Sequence, residues 1–199
     1  GKTGAFFSCM EHWLVSQLSK ILSSSVQRKK VERLLKKSPS PSLAENHLSR
    51  LLEAGGTKAI DKIPPTDLPA LLRLLGSSAY LSDVLIRQSK NWLELFLRQI
   101  KIRHKNVAKH LVELEPILKV SKSIDEFCAG LRRHKQREYV RIGARDLLPS
   151  VAMEETVREL TALAEASLEA AYRFCRAEVE KDFGALLLPG KQEPNRFVI

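Results

Sequence analysis

Along most of the chain apolar residues recur at steps of three and four, the period of one face of an α-helix. Trp13, Leu14, Leu18, Ile21 and Leu22 make one such stripe, and Leu71, Leu72, Leu74 and Leu75 make another. The longest runs through Val157, Leu160, Ala164, Leu168, Ala171, Cys175 and Val179. It predicts a single helix from about Met153 to Lys181, with Leu160 and Leu168 turned to the core. Nowhere do apolar residues alternate over four or more positions between turn signals. The expected class is all-α, with roughly six to eight helices.

Punctuation between the stripes fits that class. Ser38-Pro39-Ser40-Pro41 is a break, because residues before proline avoid the helical region. Ser42-Leu43-Ala44-Glu45 then reads as a capping box, and Gly55-Gly56 closes the helix it opens. Thr66-Asp67-Leu68-Pro69 marks another start, with a capping hydroxyl and an early proline, and Gly76 marks its end. Ser78–Arg87 and Trp92–Ile102 read as two further short helices. Ser123-Ile124-Asp125-Glu126 is a second capping box, opening a helix whose apolar side carries Phe127, Leu131, Tyr139 and Ile142. Glu154 and Glu155 complement the N-terminus of the long last helix, which Gly184, Pro189 and Gly190 terminate. Arg196-Phe197-Val198-Ile199 is strand-like, and a lone strand cannot satisfy its own backbone, so another domain is expected to begin there. The resulting division is a basic helical region over 1–65, a helical domain over 66–190, and the start of a further domain over 191–199.

Charge refines this picture. Lys and Arg number 33 against 23 Asp and Glu, a formal net charge of +10 over 199 residues. The excess is uneven: 87–145 holds fifteen basic and six acidic residues, whereas 146–199 holds six and ten. A basic middle beside an acidic end invites pairing of helices within the molecule. The three cysteines (Cys9, Cys128, Cys175) are odd in number and widely spaced, which suggests reduced thiols, neither a disulfide framework nor a zinc site. No apolar run is long enough for a membrane span. A soluble, cytoplasmic protein with no membrane contact is expected.

The search for chemistry finds little. Gly1-Lys2-Thr3 looks like the end of a phosphate-binding loop, but neither the upstream glycine nor the preceding strand is there. Gly184 to Gly190-Lys191 has the wrong spacing and places Gln192 where a magnesium-binding hydroxyl should stand. No two of His12, His47, His104, His110 and His134 are three or four apart, so a two-histidine metal site cannot be built on one helix. The basic stretches Lys101–Lys105 and Arg132–Arg137 lack the interleaved aromatics of single-strand binders and any recognition-helix motif. They read as solvated or internally paired faces. No catalytic, cofactor-binding or metal-ligating residue is singled out.

One region carries more. Arg137-Glu138-Tyr139-Val140-Arg141-Ile142-Gly143-Ala144-Arg145-Asp146-Leu147-Leu148, followed by Met153–Ala164, resembles the segment that leads into the first nucleotidyltransferase domain of the glutamine synthetase adenylyltransferase/adenylyl-removing family. Upstream, Leu71–Asp83 is similar to that family's early helix pair, and Arg196–Ile199 to the strand before its glycine-rich motif. The resemblance covers about 66–199 and implies a bifunctional regulator. Such a protein attaches AMP from ATP to a tyrosine of glutamine synthetase and removes it by phosphorolysis, under the PII signal protein. It implies magnesium and ATP for the whole protein, held by a glycine-rich turn and an Asp-x-Asp pair. Those residues are expected beyond Ile199, so this chain alone is expected to be inactive and to bind neither cofactor. The resemblance is densest around Arg137, Arg141 and Arg145, which recur at steps of four on one helix face. That face either pairs with acids such as Glu138 and Asp146 or supports a neighbouring active site. The competing reading is an independent basic helical module for nucleic acid or an acidic protein partner.

Overall fold

The computed structural model describes residues 25–55, 57–88, 91–101, 104–148 and 151–184. Among them are eight α-helices, one 3₁₀ turn and no strand. The helices are α1 (Ser25–Lys36), α2 (Pro41–Gly55), α3 (Leu68–Ser77), α4 (Ala79–Arg87), α5 (Trp92–Lys101), α6 (Val107–Val120), α7 (Ile124–Asp146) and α8 (Met153–Phe183). The class is all-α, and the longest helix is the last. None of these helices is long and apolar enough to cross a membrane. The stripe at Trp13–Leu22, the Gly1-Lys2-Thr3 turn, the loop beyond Gly184 and the Arg196–Ile199 segment lie outside the described residues.

Contacts divide the chain into two units, neither continuous in sequence. The first combines the described residues of 25–101 with those of 139–153, and the second combines 104–138 with 154–184.

The first unit is built on leucine. Leu48, Leu51, Leu71, Leu74, Leu75 and Leu85 are fully buried, with Trp92 and Phe96 of α5 and Val140 and Ala144 of α7 in the same cluster. Ile60 and Ile63 join it from the 3₁₀ turn and its exit. Helix α2 opens at Pro41, with the Ala44 amide bonded to the Ser40 carbonyl at 3.0 Å. Ser42 therefore lies inside the first turn and does not cap, because proline, with no N–H to satisfy, takes the first helical position itself. In α3 the cap is Asp67, without a side-chain cap bond; the Thr66 hydroxyl donates to the Asp67 carboxylate at 3.1 Å instead. Ser78 ends α3 and starts α4: its hydroxyl accepts from the Leu81 amide at 3.3 Å.

The second unit packs α6, the N-terminal part of α7 and α8. Phe127 and Phe174 stack with centroids 4.5 Å apart and planes 6° from parallel, beside Leu114, Ala166 and Ala170. Gly130 marks a close crossing, since a Cβ there would stand 2.5 Å from Ile117 Cγ2. The second capping box is realised: the Glu126 amide bonds to the Ser123 hydroxyl at 3.2 Å, while the Glu126 carboxylate accepts from the Lys122 amide at 2.8 Å. Gly184 closes α8 at φ +75°, the left-handed conformation that glycine adopts without strain.

The expected face of α8 is wrong. Leu160 and Leu168 are 40 % and 56 % exposed, and Val157 and Val179 are exposed as well. The buried face is instead Glu159, Ala162, Leu163, Ala166, Ser167, Ala170 and Phe174. Both stripes run at steps of three and four, so the period is right and the phase is not. A carboxylate in the true stripe hid it, and small residues there let the helix approach its neighbours closely. Leu163→Ala should therefore cost about 2–5 kcal/mol, and Leu168→Ala under about 1 kcal/mol. Urea unfolding midpoints of the two variants check the assignment.

Candidate functional site

The polar centre of the second unit grows from the start of α6. Asn106 caps that helix, its side-chain oxygen accepting from the Lys109 amide at 3.0 Å. With the helix phased this way, His110 and Glu113 lie one turn apart on the side toward α7, and His134 and Glu138 are their counterparts there. One donor atom from each of the four lies within 4.8 Å of the others. His110, His134 and Glu138 are buried, and Glu113 is open on one side.

Lys105, just before α6, reaches into this group. Its ammonium stands 2.7 Å from Glu138 Oε1, 2.8 Å from Glu113 Oε1 and 2.9 Å from Glu113 Oε2. Its backbone amide donates to Glu159 Oε1 of α8 at 2.9 Å. The Lys105 amide is thus what answers the Glu159 carboxylate on the buried face of α8. His104 Nδ1 lies 3.9 Å from the same oxygen but is half exposed. The two buried imidazoles meet edge to face with centroids 5.6 Å apart.

Burial pushes the His134 pKa down to about 4, outweighing the pull of the Glu138 and Glu113 charges in the other direction. His134 is therefore neutral at neutral pH. The 3.9 Å from His134 Nδ1 to Glu113 Oε2 is then neither an ion pair nor a hydrogen bond. Both His134 ring nitrogens are buried without a hydrogen-bond partner among the described residues. His47, by contrast, is a packing histidine, its Nδ1 2.8 Å from the Leu75 carbonyl oxygen.

The three arginines have different settings. Arg137 is exposed in the second unit, whereas Arg141 and Arg145 are buried in the first. The basic run 132–137 is not one surface patch either. Arg132, Arg133 and Arg137 are exposed, Lys135 is half-buried and His134 is buried. Within 101–105, Lys105 is buried and His104 is exposed. The side chains of 101–103 lie outside the described residues. Lys105, His110, Glu113 and Glu159 were not found from sequence, although His110-x-x-Glu113 and His134-x-x-x-Glu138 at helical spacing were a usable signal.

Cutting the lysine out should be expensive, because it strands two carboxylates, one of them buried. Lys105→Met is expected to lower stability by about 3–5 kcal/mol. The double variant Lys105→Met/Glu138→Met should recover a large part of that loss, measured as urea midpoints at pH 7.

Comparison with known proteins gives a consistent result. The family model for glutamate-ammonia ligase adenylyltransferase matches residues 68–199, more than half of the chain. A bifunctional glutamine synthetase adenylyltransferase/adenylyl-removing enzyme of Pseudomonas aeruginosa is 28 % identical over 149 residues. A protein of the same description from Shewanella loihica is 29 % identical over 143 residues. These alignments cover 74 % and 71 % of this chain but only 15 % and 14 % of those relatives. No solved structure gives a significant match. On the family match across α3 to α8 and beyond, the chain belongs to the glutamate-ammonia ligase adenylyltransferase family.

Proposed function

We propose that this chain is a helical, non-catalytic part of a bifunctional regulator of glutamine synthetase. That protein adenylylates the synthetase from ATP and removes the AMP by phosphorolysis, under control of the PII signal protein, in the cytoplasm. The carrying observation is the family match over residues 68–199, with relatives whose names state both activities.

Chemistry of the residues supports a supporting role. No Asp-x-Asp occurs anywhere in the 199 residues. The donor set that the described residues do gather is two imidazoles and two carboxylates. Magnesium selects oxygen ligands in octahedral order, so this set does not fit a magnesium–nucleotide site. On this reading magnesium and ATP are held by other parts of the whole protein, and no step of the transfer is drawn through these helices.

The arginine face divides by burial. Arg141 and Arg145 act through packing of the first unit. Arg137, exposed and carrying a full charge, is the one placed to orient a phosphate or a neighbouring loop by charge-assisted bonds. In the full-length protein, Arg137→Met should lower phosphorolysis of adenylylated glutamine synthetase by about tenfold or more with an unchanged melting temperature. Arg141→Met should lower the melting temperature. Unchanged phosphorolysis in Arg137→Met would remove all three arginines from the chemistry.

The basic-module reading, with nucleic acid as partner, has a separate check. Such a module would bind random-sequence DNA with a steep salt dependence; no such binding is expected here.

A further inference from the structure

We propose that His110, Glu113, His134 and Glu138 form a binding site for one divalent first-row transition ion, zinc being the best fit. The argument begins with pairing. Each helix contributes one imidazole and one carboxylate, and across the helices they face each other in a crossed arrangement. His110 Nδ1 stands 4.0 Å from Glu138 Oε2, and His134 Nδ1 stands 3.9 Å from Glu113 Oε2. A ring N–H aimed at a carboxylate would close to about 2.8 Å. A ring lone pair facing a carboxylate is repelled by it. Separations near 4 Å, made twice, are those of two donors with room for a cation between them.

The second observation is His134 itself. It is 1 % exposed, and neither ring nitrogen finds a hydrogen-bond partner among the described residues. A buried polar group in that condition is costly unless something answers it. A metal ion answers it through the neutral imidazole, the form that ligates.

Geometry and donor chemistry agree on the ion. Donors on a four-coordinate zinc lie about 3.3 Å apart, so a set spread within 4.8 Å closes on it by side-chain movements of under about 1 Å. Two imidazoles with two carboxylates suit zinc, cobalt or manganese and disfavour calcium and magnesium. Helical spacing fixes the pairs, three residues apart on α6 and four on α7.

Lys105 decides how tightly the ion is held. Its ammonium is a monovalent cation on the same two carboxylates, at 2.7 and 2.8 Å. It therefore competes with the metal. Binding requires this side chain to swing away, and the divalent ion then replaces its charge between Glu113 and Glu138. The lysine is a built-in competitor, so removing it should tighten metal binding while lowering metal-free stability.

The test uses the 199-residue chain with its three cysteines replaced by serine, so that thiolates contribute nothing. Cobalt(II) is titrated into chelator-stripped protein and followed by its visible absorption, then displaced with zinc. One equivalent is expected, undisturbed by millimolar magnesium. His134→Ala should weaken it by about 100-fold or more, His104→Ala should leave it unchanged, and Lys105→Met should tighten it by about tenfold or more. Because His134→Ala can fail to fold, imidazole nitrogen NMR of the unmutated ring system provides the second reading. One equivalent of zinc should shift the resonances of His110 and His134 and leave those of His47 in place. Absence of saturable uptake in both the parent and Lys105→Met overturns the proposal. So does uptake that moves other histidines and leaves these two unchanged.

Discussion

A charge withdrawn from water must be met by an opposite charge or a donor at contact distance, and around Lys105 that rule decides how three helices meet. The ammonium fixes α6 against α7 through Glu113 and Glu138, and its own backbone amide fixes α8 through Glu159. The apolar contacts of the same unit, led by the Phe127–Phe174 stack, tolerate a range of sliding. The polar ones do not, because a shift of one residue would bury an unpaired carboxylate. Packing supplies the affinity between these helices, and the charged centre supplies the register.

That division explains what could be read from the chain. Helices α3, α4, α5 and α8 were legible within a residue or two, because Ser78, Gly76, Gly184 and the Leu71–Leu75 cluster act locally on the backbone. The start of α2 was displaced because two serines compete near Pro41, and only the proline decides between them. Helix α6 was not predicted at all. Pro116 sits inside it, and its cap is an asparagine without a following acid. The face of α8 was misjudged for a different reason. Periodicity carries no phase, and Glu159 is buried by a partner more than fifty residues away in sequence.

The polar centre was invisible for the same reason. Excluding a two-histidine site on any single helix is sound, yet His110 and His134 come from two helices. Only the crossing at Gly130, where α7 runs close to Ile117 of α6, brings them together. The arginines show the converse. Steps of four placed Arg137, Arg141 and Arg145 on one side of a helix, but Arg141 and Arg145 are buried in the stretch of α7 that joins the first unit, and Arg137 lies before it.

Both units are discontinuous, and this bears on the order in which the chain can acquire structure. The first unit takes Val140 and Ala144 into the leucine cluster of α1 to α5, so its core closes only after the intervening 104–138 segment has been made. The second unit in turn waits for α8. During synthesis, which runs at about 5–20 residues per second, the early helices must persist for some seconds as an incomplete cluster with apolar surface uncovered. The added loop-closure entropy is small, since it grows only as the logarithm of loop length. Exposure time is the larger burden, and it makes the nascent α1–α5 segment a natural client for chaperones that hold hydrophobic chain. A cut between residues 103 and 104 yields no two independent halves, because the C-terminal half would carry away Val140 and Ala144, part of the first unit's interior.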